Sequence, residues 1–305
     1  MKKIILFISL FSINTYAEEE KKVSSIFIGN TTILFSDGET NIMVDGFVTR
    51  PSLLKLLTGK VKSDPQVVKS VLKKIGSPKL DAILVSHSHH DHVLDAPEMA
   101  KQTGAVIYGS SSTAEIAYGA SLPQKQMSII EPNKTFDSGK FRITFIPSKH
   151  VTTVSLLEKF TGVGKNIIHP VRQPAKYNDF KEGGSYSIYI AHPQGRILLQ
   201  SSAGFIPNAL DGYTADVAFV GIGTIGRKSA HYREEYFKNV VDATKASVVY
   251  PIHWDFFMRP LEKGLRIMPV PFDDVETTMS FIRKRYETRF ERVRYMKLYE
   301  KIDLF

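Results

Sequence analysis

The chain has 305 residues, of which 43% are hydrophobic, and its formal net charge is +9 at pH 7. This composition supplies enough apolar material for one large α/β core, and no repeat, low-complexity tract or linker divides the chain into two domains. The absence of cysteine excludes a disulfide framework, a thiol nucleophile and thiolate metal ligands. The excess of basic residues favours contact with anionic surfaces or substrates but does not identify a partner.

Residues 1–17 have the pattern of a secretory signal peptide. Lys2 and Lys3 precede an apolar run of about ten residues, which is too short to span a bilayer, and Ala17 is the small residue before the cleavage site. The pattern predicts cleavage after Ala17, a mature domain of residues 18–305 and a periplasmic or secreted location. An uncleaved N-terminal anchor is the alternative.

The region after the signal peptide alternates strand and helix patterns. Asp37-Gly38 between two β-rich runs within residues 23–50 predicts a hairpin. Asp64 as a cap, Pro65 in the first turn, apolar residues at helical spacing and Gly76 at the end predict a helix. Further helices are predicted over residues 95–102, 111–118, 232–244 and 275–286, and strands over 81–86, 105–108, 141–146, 185–190, 196–200, 216–220 and 247–252. This alternation predicts an α/β fold.

Several ionisable side chains follow the predicted strand at residues 81–86. His87 and His89 are two positions apart, so in an extended segment both imidazoles point the same way and reach one ion. Asp91 and His92 come next, where a loop can direct them to the position of a second ion. His90 is predicted to point away from both ion positions. Imidazole and carboxylate donors at this density suit zinc first, with iron and manganese as alternatives. A solvated, histidine-rich loop is the competing interpretation.

Two more histidines follow predicted strands. His150 comes after the strand at 141–146, and His253 comes after the strand that begins at Ser247. Because α/β sheets display their sites beyond strand ends, three histidine-bearing strand ends can converge on one edge of the sheet.

The pattern His-x-His-x-Asp-His behind a hydrophobic strand resembles the metallo-β-lactamase superfamily. The resemblance implies a four-layer αββα sandwich with one or two bound divalent metal ions, zinc being the expected metal. It implies that a first ion is held by His87, His89 and His150, and a second by Asp91, His92 and His253. It also implies that Asp45, at the end of the opening strands, lies near the metal site.

One position departs from the family pattern. The family usually places an aspartate between the two metals, and Ser202, in Gln200-Ser-Ser-Ala-Gly204, stands at that position. A hydroxyl supplies no negative charge to offset two divalent cations. The sequence therefore leaves open whether the site holds one ion, two ions, or no productive ion.

Residues 151–184 have no strong period and predict either a lid over a substrate cleft or a surface insertion. As a lid, they would line the cleft with apolar residues such as Leu156, Leu157, Phe160, Ile167 and Ile168. The remaining histidines, His169 and His192, are predicted to be structural or exposed. His231 is considered for substrate contact, because in the resembled fold the preceding loop borders the active cleft.

The leading functional hypothesis is metal-dependent hydrolysis, in which Asp91 orients a water molecule or takes its proton. Within the family, the chain looks more like the N-acylphosphatidylethanolamine phospholipase D-like and ascorbate-lactonase-like branch than like true β-lactamases. This predicts a small-molecule substrate, an anionic ester, lactone or phosphodiester, and no nucleic-acid partner. The alternatives are an exported metal-binding protein without activity and a periplasmic nuclease. The basic region 283–301 predicts a solvated helix face, with a membrane-facing patch as the alternative.

Overall fold

A computed structural model describes residues 21–76, 79–152, 161–270, 272–286 and 292–305. The predicted signal peptide therefore lies outside the described residues. No described helix combines the length and the apolar character needed to cross a bilayer.

The first sheet has the order β13-β1-β2-β3-β4-β5-β6 within the described residues. Its strands are β1 (Ser24–Gly29), β2 (Thr32–Ser36), β3 (Asn41–Val44), β4 (Ala82–Leu84), β5 (Val106–Gly109), β6 (Met127–Ile129) and β13 (Lys301–Asp303). The pairs β1–β2 and β2–β3 are antiparallel, whereas β3 to β6 pair in parallel. The predicted hairpin at Asp37-Gly38 connects β2 to β3.

The second sheet has the order β12-β11-β10-β9-β8-β7. Its strands are β7 (Thr135–Ser138), β8 (Phe141–Ser148), β9 (Ser185–His192), β10 (Gly195–Gln200), β11 (Val217–Gly221) and β12 (Val248–Ile252). Strands β7 to β10 are antiparallel neighbours, and β10 to β12 pair in parallel. The residues that follow the carboxyl ends of β4 and β12 therefore come from different sheets.

The helices cover the outer faces of the two sheets. They are α1 (Leu53–Thr58), α2 (Pro65–Lys74), α3 (His90–Val93), α4 (Ala96–Thr103), α5 (Ser111–Gly119), α6 (Ala230–Phe237) and α7 (Val275–Arg285). The predicted cap of α2 is confirmed, because the Asp64 side chain accepts hydrogen bonds from the backbone nitrogens of Gln66 and Val67. The helix predicted over 232–244 begins at Ala230 and continues beyond α6 as a π-helical turn, Lys238–Asp242.

Three buried clusters show the layer order. One lies between the sheets, where the rings of Phe35 in β2 and Phe219 in β11 meet edge-on at 5.2 Å. A second packs the first sheet against α2, α4 and α5, and a third packs the second sheet against α6 and α7. The predicted αββα sandwich is confirmed. The loop expected around Asp91 is the helical turn α3, and the described part of 151–184 follows a largely irregular path.

Candidate metal centre

The ends of three strands bring the six predicted metal ligands together. His87 and His89 follow β4, and the next element, α3, carries Asp91 and His92. His150 follows β8, and His253 follows β12. The ligand atoms of His87, His89 and His150 lie within 4.8 Å of one another, as do those of Asp91, His92 and His253. The rings of His87 and His92 are 3.8 Å apart, so the two three-residue sets adjoin.

Several imidazole nitrogens in these sets have no hydrogen-bond partner. Nε2 of His87, Nε2 of His89 and Nδ1 of His253 are buried and unpaired among the described residues. A buried polar atom without a partner is costly, and native proteins satisfy most such atoms. Coordination of a divalent ion would satisfy Nε2 of His87 and Nε2 of His89, so the residues present fit a metal site.

The protonation of the first set also suits a metal. Burial lowers the pKa of His87 and of His89 well below the ordinary histidine value, and the neighbouring imidazoles lower it further. Both rings are therefore neutral near pH 7. A histidine must be neutral to donate its lone pair to a metal.

The three side chains of the second set, Asp91, His92 and His253, interact electrostatically. The Oδ2 atom of Asp91 lies 3.4 Å from Nε2 of His92 and 3.4 Å from Nε2 of His253. Burial by itself would raise the pKa of Asp91, but His92 and His253 hold that pKa well below its usual range. Burial would likewise lower the pKa of His92, yet the carboxylates of Asp91 and Asp45 raise it to about 10. Asp91 is therefore ionised.

Asp45 orients His92 from behind. This carboxylate is fully buried at the end of β3, and its Oδ2 atom accepts a hydrogen bond of 2.8 Å from Nδ1 of His92. The same atom accepts from the hydroxyls of Thr31 at 2.6 Å and Ser86 at 3.1 Å. Because Nδ1 of His92 is occupied in this way, Nε2 is the nitrogen directed at Asp91. The structure thus places Asp45 near the site as a hydrogen-bond acceptor.

His150 is oriented by the backbone. Its Nδ1 atom donates to the carbonyl oxygen of Val151 at 2.8 Å, since a carbonyl can only accept, which leaves Nε2 available as a ligand. The approach of the two chain segments here requires glycine, because a Cβ at Gly204 would lie 2.2 Å from the carbonyl oxygen of Lys149.

Ser202 lies beside His150, where the end of β10 meets the end of β8. Its Oγ atom accepts a hydrogen bond of 2.9 Å from the backbone nitrogen of Val151. The neighbouring Ser201 donates to Oδ2 of Asp45 at 3.3 Å. Ser202 therefore lies beside the first ligand set, as a neutral hydroxyl already bonded to the backbone.

An apolar cavity of about 300 Å³ opens beside both ligand sets. Its walls include Leu53, Leu56, Leu57, Val151, Tyr177, Phe180, Ala203, Phe257 and Met258, together with His89, His90, Asp91, His150, Ser202 and His253. No lysine or arginine is among the described residues of this lining. The cavity therefore offers apolar contact next to the metal ligands, with Tyr177 and Phe180 supplied by the predicted lid.

Other predicted residues lie elsewhere. His231 is exposed on α6 and does not line the cavity, so the expectation of substrate contact gains no support from its position. The prediction that Ile167 and Ile168 line the cleft is wrong, because Ile167 is buried in the core and Ile168 faces outward. Leu156, Leu157 and Phe160 lie outside the described residues. His169 is exposed, and His192 is buried with Nε2 3.4 Å from Oδ2 of Asp37.

From the sequence we did not identify the leucines that line the cavity or the aromatic contacts of His90. Leu53, Leu56 and Leu57 of α1 line the cavity, and the run Leu53-Leu-Lys-Leu-Leu57 was the available signal. His90 packs its ring against Phe47 and Phe257, with centroids 6.1 and 6.4 Å away. No local pattern marks such contacts, because their partners are distant in the chain.

Comparison with known proteins agrees with this geometry. A family model described as the metallo-beta-lactamase superfamily matches residues 25–171. A UPF0173 metal-dependent hydrolase of Christiangramia forsetii is 36% identical over 88 residues, which are 29% of this chain and 32% of the relative. Another, of Bacillus thuringiensis, is 27% identical over 227 residues, 72% of this chain and 81% of the relative.

The solved structures that are similar share the fold at low sequence identity. The metallo-beta-lactamase fold protein YhfI of Bacillus subtilis has a TM-score of 0.54 and 17% identity, with 92% of this chain and 99% of that chain covered. Among the sequence relatives, the match to the Christiangramia protein spans about a third of that protein's length.

Proposed function

We propose that the chain is a metal-dependent hydrolase of the metallo-β-lactamase superfamily, on the support of the family-model match and the UPF0173 relatives. The observation that carries the proposal is the pair of three-residue ligand sets, with unpaired buried nitrogens, beside an apolar cavity. A divalent ion held by these residues supplies Lewis acidity and lowers the pKa of water from about 15.7 toward about 7. The ligand types favour zinc.

The chain's own residues prepare the site in three ways. Asp91, ionised and at the edge of the cavity, is the group we propose to orient the attacking water and accept its proton. Asp45 holds His92, and the Val151 carbonyl holds His150, so the Nε2 atoms of both rings keep one direction. The apolar walls limit competing water at the reacting bond.

The substrate class we propose is a small-molecule ester, lactone or phosphodiester. The apolar lining supports a substrate with an apolar group next to the scissile bond, since burying that group contributes about 25 cal/mol per Å². The described lining contains no lysine or arginine, so a negative charge on the substrate would have to be balanced by the metal itself.

A second candidate is an exported metal-binding protein without catalytic activity, and Ser202 is the observation that favours it. The neutral hydroxyl supplies no charge between the two sets, and it already accepts a hydrogen bond from Val151. Weak binding of a second ion would follow.

Elemental analysis of zinc-supplemented protein, with hydrolysis of phosphodiester and lactone probes measured alongside, tests both candidates. The hydrolase proposal expects at least one zinc per chain and zinc-dependent turnover of one probe class. Zinc binding without turnover, with turnover gained together with a second ion in Ser202→Asp, would establish the non-catalytic candidate. A chain that binds no zinc would contradict both.

We further propose that the protein is exported, on the support of the pattern in residues 1–17. Fractionation of expressing cells, with N-terminal sequencing of the product, is the test. Recovery outside the cytoplasm with Glu18 as first residue is expected, and full-length cytoplasmic protein would contradict export.

A further inference from the structure

Three large apolar side chains stand exposed on α1 and on the segment that lies beside the chain following α1. Leu54 and Leu57, three positions apart on α1, are 71% and 67% exposed, and Ile168 is 72% exposed. Residues at this spacing share one helix face. Leu57 also lines the cavity, so the exposed leucines are continuous with its mouth. We call Leu54, Leu57 and Ile168 the apolar lip.

Backbone pairing joins the two segments that form the lip. The backbone nitrogen of Val61 donates to the carbonyl oxygen of Ala175 at 2.7 Å, and the nitrogen of Ala175 donates back at 3.0 Å. Lys60 and Ile168 then line one shallow groove. The chain that follows α1 therefore runs beside the segment that carries Ile168, so the two parts of the lip belong to adjoining segments.

The lip is bordered by positive charge. Lys55, Lys60, Lys62 and Arg172 are exposed, and within the described part of the chain their side chains form no ion pair. Asp179 is the acidic residue that lines the groove beside Lys60. Exposed apolar side chains bordered by lysines are typical of segments that lie in the interface of an anionic membrane, where each basic residue adds to the binding free energy.

We propose that the apolar lip docks on an anionic lipid surface. Leu54, Leu57 and Ile168 would enter the boundary between headgroups and acyl chains, and the surrounding lysines would contact lipid phosphates. A second copy of the chain is a poorer occupant, because a two-fold contact through the lip would bring these lysines against their own symmetry mates. Docking itself does not depend on the proposed hydrolase activity. Only its consequence does, namely that an apolar substrate can enter the cavity from the lipid side at Leu57.

The absence of cysteine makes a position-specific test straightforward. An environment-sensitive fluorophore is attached to the variant Leu54→Cys, and to Glu39→Cys as the matched control. Glu39 lies in the exposed hairpin where β3 begins, at the end of that strand opposite Asp45 and the ligand sets. Each labelled protein is mixed with vesicles of phosphatidylcholine, with or without phosphatidylglycerol.

Docking predicts a several-fold gain in fluorescence at residue 54 with anionic vesicles and no gain at residue 39. Lys60→Glu/Lys62→Glu in the labelled Leu54→Cys background is expected to weaken partitioning at least about tenfold. No gain at residue 54, an equal gain at both positions, or equal partitioning to neutral vesicles would overturn the proposal. A gain that depends on protein concentration without vesicles would overturn it in favour of a second copy.

The zinc content of the same samples separates this inference from the proposed function. Zinc-loaded protein that shows no fluorescence change would refute docking alone. Protein that docks but binds no zinc would refute the hydrolase proposal alone.

Discussion

Buried histidines define the candidate site at the scale of single residues. Burial keeps His87 and His89 neutral, and their Nε2 atoms lack partners among the described residues. Asp45 holds His92 by a 2.8 Å hydrogen bond. The two carboxylates nearest the second set thus have separate tasks: Asp91 faces the cavity, whereas Asp45 supports a ligand from behind.

Removing a ligand of the first set should remove metal. In His87→Ala, zinc content per chain is expected to fall and zinc-dependent turnover to disappear, because the first set keeps two of its three nitrogens. Elemental analysis and a hydrolysis assay measure the two effects. His169→Ala is the control, since His169 is exposed and outside both sets. Full zinc content and normal activity in His87→Ala would refute the assignment.

The supporting carboxylate should matter almost as much as a ligand. Asp45→Asn keeps the shape of the side chain but removes the charge that orients His92, so metal affinity should drop about 10- to 100-fold. A competition titration with a chromogenic chelator measures this change. Asp137→Asn, at an exposed carboxylate in β7, should leave affinity unchanged. Equal affinities in the two variants would contradict the supporting role.

At the scale of elements, short turns hold the strand ends in place. The β2–β3 hairpin is closed by Asp37, whose Oδ1 atom accepts from the backbone nitrogens of Glu39 at 2.9 Å and Thr40 at 2.7 Å. His192 of β9 lies against the same carboxylate. The contact ties the first sheet to the second at a distance from the metal ligands.

The Asp37 carboxylate should stabilise the protein in a pH-dependent way. Burial opposes ionisation, but the backbone hydrogen bonds from Thr40 and Glu39, together with the nearby His192 ring, leave the pKa of Asp37 below its ordinary value. A depressed folded-state pKa contributes stability above the unfolded pKa of about 3.9, and this contribution is lost as pH falls through the folded value. Urea unfolding should therefore show wild type more stable than Asp37→Asn near neutral pH, with the difference shrinking as pH falls below the unfolded pKa of about 3.9. A difference that does not change with pH would refute this account.

At the scale of the whole molecule, a buried ion pair joins the two halves of the chain behind the second ligand set. Nη1 of Arg50 lies 2.7 Å from Oδ2 of Asp255, and both side chains are inaccessible or nearly so. Asn30 completes the link: its backbone nitrogen donates to Asp255, and its carbonyl accepts from the nitrogen of His253. Its side chain also donates to the carbonyl oxygen of Asp91 at 2.6 Å.

Breaking this pair from one side should be costly. Asp255→Ala leaves the Arg50 guanidinium buried without a counter-charge, which is expected to lower the free energy of unfolding by about 3–5 kcal/mol. Chemical denaturation measures the loss. Asp216→Ala, which breaks an exposed pair with Arg196, is the control and should cost at most about 1 kcal/mol. Similar losses in the two variants would show that burial does not govern the contribution of the Arg50 pair.

Local signals in the sequence were sufficient for the fold class, the hairpin at Asp37, the cap at Asp64 and the succession of strand ends that carry histidine. Each depends on neighbours within a few positions, where backbone geometry sets which side chains share a face. The spacing from His87 to His92 is such a signal, and it also carries the resemblance to the metallo-β-lactamase superfamily.

Contacts between distant segments could be decided only by the tertiary structure. Arg50 and Asp255 are 205 positions apart, and their pairing depends on how the two sheets pack. The bond from Asp45 to His92, the exposure of Leu54 and the outward turn of Ile168 depend in the same way on which surfaces other segments cover. Residue spacing determines the direction of a side chain relative to its own element. What that side chain then meets is determined by the packing of elements that the chain brings from far away.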